Sequence, residues 1–216
     1  LADVSRIDQL SKRGQSDVNL MTKNVDNIIK IVQQNRGRFT RESWQQVAES
    51  IGSIGASYAD LGRNVLSAQY VLQDLEKTEL QEIALSRDAI KRARSMVIQD
   101  IKESQRLTIR RTGLPSHGKI VEVKDKLDKA QNNLEQNVAK LVTQEFAETK
   151  NALQSYISSL ARLESELPPE FRSAEGYLRS GAAGPALNIL QKIKEMLGEL
   201  LSIEKAIDKL SRGDLK

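Results

Sequence analysis

The chain has no cysteine among its 216 residues. That excludes disulfides, thiolate metal sites and a cysteine nucleophile together, and it fits a reducing, cytoplasmic setting. Aromatic residues make up only 4%, and none of the four prolines precedes Pro115. A Leu-, Ala-, Glu-, Lys- and Gln-rich chain so poor in aromatics and helix breakers favours helices over strands and is not disordered. No Asn-x-Ser/Thr acceptor occurs, and no apolar run approaches the ~20 residues that span a bilayer. The chain opens at Leu1 without a charged-then-apolar leader, as expected of a piece trimmed from a longer protein.

Catalytic chemistry is equally thin. The single histidine, His117, stands between glycine and proline neighbours and reads as an exposed turn residue. Gly113-Leu-Pro-Ser-His-Gly118 lacks the Gly-Lys-Ser/Thr ending of a phosphate loop, and no βαβ pattern surrounds Gly181-Ala-Ala-Gly184. The carboxylates are scattered among lysines. The expectation is a protein that is not an enzyme and carries no cofactor or metal.

What the sequence does have is heptad spacing. Val4, Ile7, Gly14, Val18, Met21, Val25, Ile28 and Val32 step by three and four, with a weak position at Ser11. Asn35-Arg36-Gly37 supplies a stop, and Thr40 and Ser43 can cap a new start. From there Trp44, Val47, Ile51, Ile54, Tyr58, Leu61, Val65, Ala68, Leu72 and Leu75 keep strict heptad spacing. The pattern continues through Leu80, Ile83, Ile90, Val97, Ile101 and Leu107. One helix of ~70 residues would run ~100 Å. Residues 112–118 predict a hairpin tip. A third seam runs from Ile120 through Leu127, Leu134, Leu141, Leu153 and Leu160 to Leu167, where Pro168-Pro169 is expected to end the helix. A short helix follows, then a last one on Ala186, Leu190, Ile193, Leu197, Leu200, Ile207 and Leu210. Most aromatics, among them Trp44, Tyr58, Tyr70, Phe146 and Tyr156, fall on seam phases and are expected in the core.

Charge is unevenly placed. Residues 87–129 hold twelve basic against six acidic side chains, a balance of +6, while the rest of the chain stands at −2. Arg87, Lys91, Arg92, Arg94, Lys102, Arg106, Arg110, Arg111, Lys119 and Lys124 form the candidate anion-binding set. Arg87, Lys91 and Arg94 share a helix face, as do Arg106 and Arg110, and like charges so spaced repel by a few tenths of a kcal/mol per pair. Such a face points to an anionic partner. With no aromatic between Val71 and Glu145, single-stranded nucleic acid is excluded as that partner. Arg92-Ala-Arg-Ser95 and Arg110-Arg-Thr112 resemble basophilic kinase targets, where a phosphate would weaken anion binding.

A long helix, a basic Gly/Pro tip, a second long helix and flanking helices resemble the BAR-domain superfamily of membrane-curvature proteins. Lys119-Ile-Val-Glu-Val-Lys-Asp-Lys-Leu-Asp-Lys-Ala-Gln-Asn-Asn-Leu-Glu135 looks like the start of the helix after a BAR tip. Gln144-Glu145-Phe146 with Lys150 and Tyr156 is similar to that helix's later part. The resemblance covers residues 1–167; 168–216 is a C-terminal short helix plus a final helix packing on or extending the bundle, and the helix from Ala186 to Leu210 is not a standard part of that fold. It implies an all-α, elongated antiparallel helical bundle or coiled coil, forming a crescent-shaped homodimer. It also implies basic residues facing acidic phospholipid on the cytosolic side of a membrane, in endocytosis or membrane trafficking. The alternative is a coiled-coil scaffold or tether that binds another protein without touching lipid.

Overall fold

The first break in the chain shows how local chemistry sets the helices. The last residue of α1 is followed by Arg36 at φ 48°, a left-handed conformation that ends the helix, and Arg38 N–H returns 2.9 Å to the Asn35 carbonyl. Thr40 then caps the next helix, its Oγ1 accepting from the Ser43 N–H at 3.2 Å. Phe39 before the cap stacks on Trp44 with ring centroids 4.7 Å apart. These are the two positions of a hydrophobic staple, so Trp44 fixes the entry of the chain and is only half-buried, a correction to its expected core place.

The structure, a computed structural model, describes the backbone of residues 2–36, 38–112 and 117–213, and the side chains of 5–36, 38–107 and 122–210. The described residues are all-α: α1 (Ala2–Asn35), α2 (Arg41–Thr112), α3 (His117–Arg179) and α4 (Ala183–Gly213). Of the hairpin tip expected over 112–118, residues 113–116 lie outside them, while Thr112 ends α2 and His117 and Gly118 open α3. No helix among them is long and apolar enough to cross a membrane. The chain divides into two compact units, Leu1–Asp74 with Thr149–Lys216, and Leu75–Glu148.

Unit 1 holds nearly all of the core. Helix α1 packs on α4, with Val18, Met21, Val25, Ile28 and Val32 buried from one and Ala186, Leu190, Ile193, Leu197, Leu200 and Ile207 from the other. Each fully buried Leu, Ile or Met side chain contributes about 1.5–3 kcal/mol. On α2 the buried rows are Val47, Ile54, Leu61 and Ala68, then Ser43, Ser50, Ser57, Asn64 and Val71. The second row corrects the expected phase by one residue: Ile51 and Tyr70 are exposed, and Tyr58, Val65 and Leu72 half-buried. Serine is small, so a row of serines turned inward lets a neighbouring backbone approach where isoleucine would hold it off.

Pro168-Pro169 does not end α3, which runs on to Arg179. The boundary expected between residues 167 and 168 therefore falls inside one helix. The actual stop is at Gly181 (φ 80°), where Ala182 N–H bonds the Tyr177 carbonyl at 2.8 Å and Gly181 N–H the Leu178 carbonyl at 3.1 Å, a Schellman motif. Continuation past the prolines has a visible compensation. Pro168 has no N–H for the carbonyl of Glu164, and the hydroxyl of Tyr58 donates to that oxygen instead, at 2.6 Å. Tyr58→Phe is expected to lower unit 1 stability by about 1 kcal/mol in urea denaturation, since the orphaned carbonyl keeps partial access to water.

Candidate functional site

Unit 2 has little interior. Among its described residues Leu75 and Val142 are the buried apolar side chains, with Glu79 beside them. Ile83, Ile90, Ile98 and Ile101 are half-buried on one face of α2, and Leu80, Leu85, Met96 and Leu107 stand more than half exposed on the same helix. Leu85, Met96 and Leu107 are eleven residues apart, about three helical turns, so they line up on the side opposite the isoleucines. Leu134 and Leu141 are likewise exposed on α3. Of these, Leu80, Leu107, Leu134 and Leu141 are seam residues by sequence, and among the described residues they are left uncovered; Leu85 and Met96 lie off the expected seam.

The basic residues divide into three groups. Arg94 is half-buried and ion-paired with Asp128 across the unit, so its charge is already matched. Arg87, Lys91, Arg92, Lys102, Arg106 and Lys124 are exposed and make no ion pair with a described residue. The side chains of Arg110, Arg111 and Lys119 lie outside the described ones, as does that of His117. Three of the six acids in 87–129 are engaged: Asp128 with Arg94, Glu122 with Lys126 at 3.8 Å, and Asp125 with Lys129 at 3.7 Å. Local pairing thus takes up half of the acids, Asp88, Asp100 and Glu103 standing outside these pairs, and leaves the six cations exposed. A groove of about 650 Å³ has Arg87 on one wall and Asn132, Glu135, Gln136, Lys140 and Gln144 on the other. The opposition of Arg94 to Asp128 and of Arg87 to this later stretch of α3 sets the two helices side by side in opposite directions within the unit.

A second cluster, in unit 1, lies where the sequence pattern predicts plain apolar seam. Glu204 of α4 is fully buried between Leu200 and Ile207, and neither carboxylate oxygen has a hydrogen-bond partner. Its backbone carbonyl accepts from Ser11 Oγ at 2.7 Å. Its carboxyl fits a notch at Gly14, where a Cβ would lie 2.7 Å from Glu204 Oε1 and 2.7 Å from the Tyr156 hydroxyl. Tyr156, Asn64 and Asp17 complete the surroundings, all buried. Burial, with the Glu204 charge second, pushes the Tyr156 hydroxyl up; the Asn64 side chain works against this. Burial, then the charge and hydrogen bond of Asp60, raise Asp17 to about 6, with Arg13 opposing. Sequence reading missed this cluster; Ser11 and Gly14, two small residues on the α1 seam, are the feature that could have pointed to a group opposite. Among the described residues no group of acidic side chains could hold a metal ion.

The chain matches no family model, no curated protein and no solved structure.

Proposed function

We propose that this protein is a peripheral membrane-binding protein that docks on acidic phospholipids through unit 2 and senses or shapes curvature as a homodimer, as the resemblance to BAR domains implies. One observation carries the reading. The exposed cations without a described ion-pair partner in 87–129, namely Arg87, Lys91, Arg92, Lys102, Arg106 and Lys124, gather on a unit whose apolar seam is also uncovered. Each basic residue near an anionic leaflet contributes about 1 kcal/mol, so several together support reversible, salt-sensitive docking. The exposed Leu80, Leu85, Met96, Leu107, Leu134 and Leu141 favour a second copy, which would complete an elongated antiparallel bundle.

Lysine acetylation on vesicles containing phosphatidylserine tests the reading residue by residue. Lys91, Lys102 and Lys124 are expected to be protected relative to the free protein, while Lys23, Lys30 and Lys205 of unit 1 acetylate as before. Protection confined to unit 1 contradicts the proposed face. The same exposed apolar side chains also suit a protein partner, so absence of any vesicle-dependent protection transfers the site to the scaffold reading.

A further inference from the structure

The buried cluster of unit 1 is not used by the proposed docking surface, and it has its own chemistry. Glu204 sits on the α1–α4 seam with no exposed surface and no donor to either oxygen. A carboxylate anion in such a place loses its hydration and gains nothing in return, whereas a neutral carboxylic acid loses far less and brings an O–H of its own. We propose that the α1–α4 seam of unit 1 closes with a proton on Glu204, so that folding of this unit is linked to proton uptake at that carboxyl.

The groups that face Glu204 agree from every side. Helix α1 presents Asp17 and the bare backbone of Gly14; α2 presents the Asn64 amide, whose Nδ2 has no partner, with Asp60 beyond Asp17; α3 presents the Tyr156 hydroxyl. On α4 itself Asp208 follows one turn later and Lys205 is turned to solvent. The cations near this cluster are at its rim. Arg13 and Arg63 line an open cavity of about 340 Å³ with Asp17, Asp60 and Asn64; Arg13 acts on Asp17, and Arg63 pairs with Asp60. Every titratable neighbour of Glu204 that the seam buries is therefore acidic or neutral, which favours the protonated carboxyl.

The direction of the pH dependence follows. Burial, and after it the charge of Asp17, hold the seated Glu204 carboxyl up at about 8, against an ordinary 4.5 in the unfolded chain. Below 4.5 both states carry the proton and the stabilisation is complete. As the pH rises further the unfolded chain ionises first, so stability falls until the seated group also ionises, and above about 8 the contribution is gone. Asp17, raised to about 6, adds to the decline only below that value. Between pH 6 and 8 the slope belongs to Glu204.

Urea denaturation followed by the fluorescence of Trp44, the sole tryptophan and a residue of unit 1, reads this directly. In the native sequence the folding constant should fall close to tenfold from pH 6 to 7 and about fivefold from 7 to 8, roughly fiftyfold across the window. Glu204→Gln should be flat there and, below pH 6, keep only the part of the slope that Asp17 contributes. A flat native profile between 6 and 8, or an undiminished slope in Glu204→Gln, overturns the proposal. Should the variant fail to fold, carboxyl carbon NMR of the native chain decides: a glutamate titrating near 8 supports the protonated seam, and all glutamates titrating near their ordinary value refute it.

Discussion

Replacing Gly14 by alanine is expected to destabilise unit 1 by about 2–3 kcal/mol and to lower its melting temperature by roughly 5–10 °C. The opposite result would be natural on an exposed helix, where alanine gains up to about 1 kcal/mol over glycine. Here the added methyl meets the Glu204 carboxyl and the Tyr156 hydroxyl at 2.7 Å, with Glu204 Cδ at 2.8 Å behind. A surface glutamate would swing away. Glu204 is walled in, and Tyr156 is rigid and buried, so the helices must separate or the side chains leave their rotamers. The contact can be checked against itself. In a Glu204→Ala background the carboxyl is gone and Gly14→Ala should cost at least about 1 kcal/mol less. Equal costs in both backgrounds would mean that the notch does not bind the two helices together.

The second large effect concerns the docking surface. Reversing Arg87, Lys91 and Arg92 to glutamate is expected to lower partition onto phosphatidylserine vesicles by at least roughly a hundredfold, since loss of three cations at about 1 kcal/mol each already accounts for that factor. These three make no ion pair with a described residue, so their reversal leaves no orphaned acid, and the melting temperature of unit 1 should not move. Arg94 makes an instructive contrast. Its guanidinium is spent on Asp128, so Arg94→Gln should change vesicle binding less than any one of the other three while loosening unit 2.

The four long segments and their breaks at residues 36 and 112 were legible because heptad spacing and punctuation act locally. So was the thin packing of residues 75–148, where the seam residues Leu80, Leu107, Leu134 and Leu141 stand exposed among the described ones. Three features were not legible, each for a physical reason. A Pro-Pro pair reads as a helix end because the missing N–H is local, while the Tyr58 hydroxyl that replaces it comes from 106 residues away in sequence. The inward row of Ser43, Ser50, Ser57 and Asn64 hides beside larger apolar residues, since pattern reading follows volume and close approach selects against it. The buried carboxyl of Glu204 was hidden within an apolar seam pattern, because its burial depends on what three other helices put around it. Of the candidate site, the residues were legible but their pairing was not. Only the structure shows that Arg94 is neutralised and that Arg87 borders a groove.

Co-sedimentation of the unmodified protein with phosphatidylserine vesicles, beside phosphatidylcholine vesicles and at low and high salt, tests the docking claim most directly. The account predicts binding to the anionic vesicles at low salt, release as salt screens the exposed cations of unit 2, and no binding to the neutral ones. Binding that is equal on both vesicle types, or that is absent from the anionic vesicles at low salt, would contradict it.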